Sequence, residues 1–341
     1  MKTHIGLDIG TRAIKLVELT RQGNSIILTS AGSMPAPPKA LSSSLEADAE
    51  AVAVAIKKLI RETGAKSRTV TIALPESQVF TRVIEMPPLT SKELSSALQW
   101  QAEQYIPLPL DQVNMDFTVL RDAKQTGTNK IEVLLVACPK VLIDKYLTYL
   151  DLAELTAEGV ETEIIAVSRS LLRATASVRT AMIVSLGHQT TDLAIVRGGV
   201  LGFTRSMSAG GDALSRALEQ GLGLETTQAE EFKHAYGLEP DKLEGKILTA
   251  VKPIMDTIIS ELKRSVAYYQ EHYPNEKVEA ILLAGGTAKI PGMVVYLAQN
   301  IGLGVEVQLA NPWAGITRDQ RFSILDPEGP KFCVATGLAL R

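Results

Sequence analysis

At 341 residues the chain exceeds what one hydrophobic core sustains, roughly 250–300 residues, so two domains are expected. Hydrophobic residues make up 45% and charged residues 21%, with a net charge of −3, which excludes a disordered or collagen-like chain and leaves no basic surface for nucleic acid. Cys138 and Cys333 lie in separate apolar segments and give neither a zinc nor a disulfide framework, and no run of about 18 apolar residues is free of charge, so a cytoplasmic protein without direct membrane insertion is expected.

The first elements form a meander. His4 to Ile9 is a strand, Gly10-Thr11 a turn, Ile14 to Leu19 a second strand, and Gly23-Asn24 a turn before Ser25 to Ala31. A helix from Ala47 to Thr63 ends at Gly64, and Thr69 to Leu74 is a short strand. Thr90 and Glu93 form a capping box for a helix carrying Leu94, Ala97, Leu98, Ala102 and Tyr105, which Pro107 and Pro109 stop. Asn114 to Arg121 and Lys130 to Ala137 are strands. The meander then recurs as Ala181 to Leu186, Asp192 to Val196 and Val200 to Met207. Placing Asp8 on Ser185 also places Gly10 on Gly187 and Leu16 on Leu193, half a chain apart, which predicts a duplicated two-lobed protein. Thr227 and Glu230 read as another capping box. Ile247 to Tyr269 is a long amphipathic helix in which Pro253 predicts a kink or a start. A strand from Val278 to Ala284 runs into Gly285-Gly286-Thr287, and a closing helix covers Phe332 to Leu340.

Chemistry is expected at the glycine turns. Glycine lets backbone N–H groups approach phosphate oxygens, and a strand-end carboxylate such as Asp8 can hold a hydrated Mg²⁺. Lys15 is within reach as a point charge. The turns at Gly10, Gly187 and Gly285 would then face one cleft between the lobes. His4, His188, His234 and His272 lack metal-ligand spacing.

Gly6-Leu7-Asp8-Ile9-Gly10-Thr11, Leu186-Gly187-His188-Gln189-Thr190-Thr191-Asp192 and Leu282-Leu283-Ala284-Gly285-Gly286-Thr287 with Ile290-Pro291-Gly292 resemble the two phosphate motifs and the adenosine motif of the actin-like ATPase superfamily. Within it, Gln101-Ala102-Glu103-Gln104-Tyr105-Ile106-Pro107-Leu108 and Ala229-Glu230-Glu231-Phe232-Lys233-His234-Ala235-Tyr236-Gly237 resemble the PilM family of type IV pilus assembly proteins. The resemblance implies an α/β, actin-like two-lobed duplicated fold of mixed sheets flanked by helices, with an FtsA/PilM-type inserted α+β subdomain. It divides the chain into a first-lobe core (1–85 and 158–179), the insertion (86–157), a second-lobe core (180–208 and 278–341) and a second-lobe helical subdomain (209–277).

For the site it implies ATP with Mg²⁺. Asp8, Gly10, Thr11, Arg12 and Lys15 fall to the phosphates and, through Asp8 and bound water, to the metal. Gly187, His188, Gln189 and Thr190 form the facing phosphate loop. Gly210, Gly211, Asp212, Gly285, Gly286, Thr287 and Ile290 cradle ribose and adenine, with Glu230 and Lys233 reaching the sugar and base and Arg264 stacking beside it. Glu161 takes the place of a carboxylate near the attacking water, followed by Thr162 where relatives carry proline. Ser185 stands where hydrolysing relatives have an aspartate, so slow or absent hydrolysis is expected, and Asp192, seven residues on, is not read as its substitute. The partners implied are the N-terminal cytoplasmic peptide of a PilN-like membrane protein, which would hold the chain at the inner membrane, and pilus motor ATPases. The alternative is an FtsA-like polymerising cell-division protein.

Overall fold

The computed structural model describes residues 2–38, 41, 43, 45–106 and 108–341. Apolar runs broken by turn residues build the meander β1 (Lys2–Ile9), β2 (Ala13–Gln22) and β3 (Ser25–Pro35). α1 (Glu46–Thr63) buries Val52, Ile56 and Leu59 on one face, each worth about 1.5–3 kcal/mol relative to exposure. It ends at Gly64, whose φ of 69° is a left-handed stop open to glycine. Then come β4 (Thr69–Leu74), β5 (Phe80–Met86), α2 (Ser91–Tyr105), β6 (Val113–Arg121), the four-residue α3 (Ala123–Thr126) and β7 (Ile131–Pro139). α4 (Lys140–Leu152), β8 (Thr156–Thr162) and α5 (Glu163–Ser170) lead into the second half. There β9 (Thr180–Leu186), β10 (Thr191–Arg197) and β11 (Val200–Met207) precede the helices α6 (Gly211–Leu222), α7 (Thr226–Tyr236) and α8 (Lys246–His272). β12 (Ala280–Ala284), α9 (Met293–Ile301), β13 (Glu306–Leu309) and α10 (Gly329–Ala339) complete the chain. Among the described residues no helix is long and apolar enough to cross a membrane.

The duplication expected from the sequence is visible in the topology. One sheet has the order β3-β2-β1-β4-β8 and the other β11-β10-β9-β12-β13. In both, an antiparallel meander is extended by two parallel strands. α5 and α10 cross so closely that a Cβ at Gly337 would stand 1.7 Å from the Ala166 carbonyl oxygen. A Cβ at Gly6 would likewise stand 2.0 Å from the Ala335 carbonyl oxygen, so β1 meets α10 backbone to backbone.

A third sheet, β5-β7-β6, forms the insertion, with boundaries that differ from the expected 86–157. β5 pairs with β7 from Phe80 to Met86, so the insertion begins upstream of Met86. At the other end α4 sends Leu142, Tyr146, Tyr149 and Leu150 into the first-lobe core beside Ile56 and Ile72, because its apolar face completes the layer begun by α1. The insertion is tied to the second lobe by a buried ion pair, Arg197 Nη2 to Glu132 Oε1 at 2.7 Å, and Tyr273 Oη donates to the same carboxylate oxygen at 3.2 Å.

Of three local expectations, one is met and two resolve differently. The Thr90–Glu93 capping box forms as expected and α2 ends at Tyr105, while Pro107 lies outside the described residues. The expected box of Thr227 and Glu230 does not form, because α7 starts two residues earlier with Glu225 and Gln228 bonded reciprocally, which leaves the Glu230 carboxylate for other partners. α8 begins at Lys246 and continues through Pro253; Val251, Met255, Ile258 and Leu262 bury a continuous face that outweighs the lost main-chain bond, and Thr257 Oγ1 donates to the Pro253 carbonyl at 2.9 Å.

Candidate functional site

Two hairpins face each other across a cleft of about 780 Å³. In the first, the Gly10 N–H donates to the Ala13 carbonyl at 3.1 Å, and Asp8, at the end of β1, sits opposite Lys15 on β2. Lys15 Nζ donates to Asp8 Oδ2 at 2.7 Å. In the second, the Gly187 N–H donates to the Thr190 carbonyl at 2.9 Å, and Ser185 sits opposite Asp192. A Cβ at Gly187 would lie 2.9 Å from the Thr190 carbonyl oxygen, so this turn is tight enough to require glycine.

The second-lobe helices buttress that hairpin. The N–H groups of Gly211 and Asp212, at the start of α6, donate to the Gly187 and His188 carbonyls at 3.0 and 2.7 Å. Thr287 Oγ1, just after β12, donates to the Gly187 carbonyl at 2.8 Å. Lys233 on α7 is buried and donates to the Gly211 carbonyl at 3.0 Å and to Ser215 Oγ and Glu230 Oε1 at 2.7 Å each. Gly285, with φ of 87°, passes so near β9 that a Cβ would lie 2.3 Å from the Leu186 carbonyl oxygen. Across the opening, Arg12 of the first lobe pairs with Glu230 of the second at 3.5 Å.

The cleft concentrates carboxylates. Asp8, Glu163 and Asp192 line it, and Glu76 lies buried behind. Burial, with the Asp192 and Asp8 charges behind it, raises the Glu163 carboxyl well above its ordinary range. Asp192 is raised by burial, against hydrogen bonds from Ser206 Oγ and Thr190 Oγ1. Glu76 is pushed up to about 7 by burial and then by the Asp192 charge. Glu230 is lowered by hydrogen bonds from His234, Lys233 and Ser215, although burial opposes them. His188 is lowered by burial, which favours a neutral ring beside the loop.

Of the residues singled out in the sequence, Asp8, Gly10, Thr11, Arg12, Lys15, Gly187, His188, Gln189, Thr190, Glu230, Lys233, Gly285, Gly286 and Thr287 line one cavity. Gly210, Gly211 and Asp212 stand behind the second hairpin and shape it through the backbone. Ile290 is in the second-lobe core. Arg264 is outside the cleft: it is exposed on α8, beside a different groove, and paired with Glu261 at 2.9 Å. Glu161, expected beside the attacking water, is held by Arg169 at 2.5 and 2.7 Å and does not line the cavity. Glu163 does, because it is the first residue of α5 where β8 ends at the cleft, whereas Glu161 precedes that turn. Asp192 was also missed; although seven residues from Ser185 in sequence, the antiparallel hairpin makes it the facing residue. Lys289, Glu328 and Lys331 form a further charged set at the cleft wall.

These groups fit a nucleotide that brings its own metal. Lys15 and Arg12 with the hairpin N–H groups suit phosphate, and Glu163 and Asp192 are raised first by burial, with neighbouring acids adding to it at Glu163, a cost to their charged forms that a nearby cation would offset. Among the described residues no group of three or more His, Cys, Asp or Glu side chains is assembled to hold a bare ion.

The paired sheets, opposed hairpins and central crossing helices define an actin-like two-lobed protein. The chain belongs to the family described as type IV pilus assembly protein PilM, whose sequence profile matches residues 6–341. It is 30% identical to a chain of the solved PilM-PilN type IV pilus biogenesis complex, with a TM-score of 0.86 over 99% of this chain and 98% of that one. It is 25% identical to the cell division protein FtsA of Streptococcus pneumoniae, over 90% of this chain and 75% of that protein. The ethanolamine utilization protein EutJ from Carboxydothermus hydrogenoformans, 16% identical with a TM-score of 0.57 over 100% of this chain and 90% of its own, shares the fold.

Proposed function

We propose that this protein is an ATP-binding adaptor of the type IV pilus inner-membrane assembly complex, which captures the N-terminal cytoplasmic tail of a PilN-like membrane protein and is held at the membrane through it. The observation that carries the nucleotide half is the pair of opposed glycine hairpins with Asp8, Lys15 and Lys233 in one cleft. The partner half is supported by family membership and by likeness to a chain of the PilM-PilN complex.

The residues divide the work. The Thr11–Arg12 and His188–Thr190 turns present N–H groups to phosphate, and Lys15 supplies a charge that Asp8 orients. Lys233, fixed by Ser215 and Gly211, would steer the sugar while Glu230 accepts from its hydroxyls. When bound, Mg²⁺ would neutralise phosphate charge and be reached by Asp8 through water. Glu163 is the carboxyl placed to orient a water at the phosphate end. Because burial and the neighbouring acids disfavour its charged form, and because Ser185 brings no charge, turnover is slow and nucleotide acts as a ligand that biases the lobes.

Calorimetric titration with the tail peptide of a PilN-like protein, with and without Mg-ATP, tests this. Tight Mg-ATP binding and tail binding strengthened by it are expected; no tail binding in either condition would sink the adaptor reading and favour ATP-dependent sedimentation as the next measurement, given the FtsA likeness.

A further inference from the structure

We propose that the groove between the inserted sheet and the second lobe is a docking site for an extended, acidic segment of a partner protein. The groove, about 610 Å³, shares no lining residue with the nucleotide cleft, and the proposal does not rest on the pilus reading.

Three independent features meet there. First, the groove runs between β5 and β11, each the outermost strand of its sheet. Among the described residues no ladder joins them; Thr204 Oγ1 donates to the Thr81 carbonyl at 3.3 Å and bridges the two strands. An unpaired strand edge invites strand addition, in which main-chain bonds supply affinity and side-chain seats supply selectivity. Second, α8 closes the groove with Tyr268, Tyr269 and Tyr273, and two of its hydroxyls, Ser265 Oγ and Tyr269 Oη, are buried at 2% and 1% residue exposure with no hydrogen-bond partner. Unpaired buried hydroxyls are costly, and a main-chain group of an incoming segment would satisfy them.

Third, the charge is one-sided. Arg82, Arg205 and Arg264 line the groove, whereas Glu85, on the same wall, is already neutralised by Lys130 at 2.7 Å. Glu261 pairs with both Arg205 and Arg264, so one negative charge is shared by two guanidiniums. Arg82 lies over the Tyr105 ring, 4.7 Å from its centroid, which keeps its plane open to a carboxylate. An extended segment alternates its side chains, so acidic residues can meet the arginines while apolar ones meet the tyrosines. β5 has seven residues, which sets the length of segment that can be paired.

The test uses the full chain and two fluorescein-labelled heptapeptides, one alternating glutamate with valine and phenylalanine, the other with lysine in place of each glutamate. Fluorescence anisotropy should give binding of the acidic peptide that is at least about tenfold tighter than that of the basic one. The exposed-site double variant Arg82→Glu/Arg264→Glu should weaken the acidic peptide at least about tenfold. Hydrogen exchange should show new protection of β5 amides when the acidic peptide is added, a readout that misfolding of a variant does not reach. No binding of the acidic peptide to the unaltered chain, equal binding of both peptides, or absence of β5 protection would each overturn the proposal.

Discussion

The hairpins β1–β2 and β9–β10 share a backbone and differ in charge. At matching register Asp8 faces Lys15, whereas Ser185 faces Asp192. The first hairpin is therefore an internally neutral pair that can present Lys15 to phosphate without stranding a charge. In the second, the acid has changed strands, has no cation opposite, and is raised by burial against two hydroxyl donors. The two copies share the geometry that glycine requires and divide the electrostatics: one lobe supplies the cation, the other a buried acid held by two hydroxyl donors.

The largest test removes the neutral pair. Asp8→Ala strands Lys15, whose side chain is 15% exposed, and should cost about 3–5 kcal/mol of stability together with at least about a hundredfold of Mg-ATP affinity. Denaturant melts and calorimetry measure both, and unchanged affinity would break the comparison. Next is the acid behind the second hairpin. The folded protein keeps a proton on Glu76 between its ordinary value of 4.5 and about 7 that the unfolded chain releases, so stability falls as pH rises through that window. Glu76→Gln should therefore be more stable by up to about 3 kcal/mol at pH 8 and little changed at pH 4, as read from urea midpoints. A variant less stable at pH 8 would mean the carboxylate is satisfied in its charged form.

Ser185→Asp sharpens the contrast by placing two acids face to face. It should lower the stability of the nucleotide-free protein by about 1–2 kcal/mol at pH 8, recover with Mg-ATP, and raise phosphate release at least about tenfold, measured by steady-state turnover. No gain in turnover would show that Ser185 is not what slows hydrolysis. The smallest effect belongs to Arg12→Ala. Arg12 is 66% exposed, so loss of its pair with Glu230 should change stability by less than about 0.5 kcal/mol, while nucleotide affinity falls a few-fold.

The fold was largely legible because its signals are local. Turn residues at Gly10, Gly23 and Gly187, the stop at Gly64 and the Thr90–Glu93 box each act within a few residues, and the half-chain repeat is visible as soon as the two meanders are aligned. The cleft loops were legible for the same reason. The carboxylates were not. Glu161 and Glu163 are two residues apart and chemically alike, yet one is bound by Arg169 and the other lines the cleft. Arg264 shares a helix with core residues and still belongs to another groove.

The sequence by itself determined the strand and helix order, the glycine turns and the duplication, since these follow from backbone freedom, capping and hydrophobic period. Only the tertiary structure decided which acids face one another, where the insertion ends and which arginines share a groove. Those depend on strand register and on packing between segments far apart in the chain, where a shift of one residue turns a side chain from the cleft to the opposite face of its sheet.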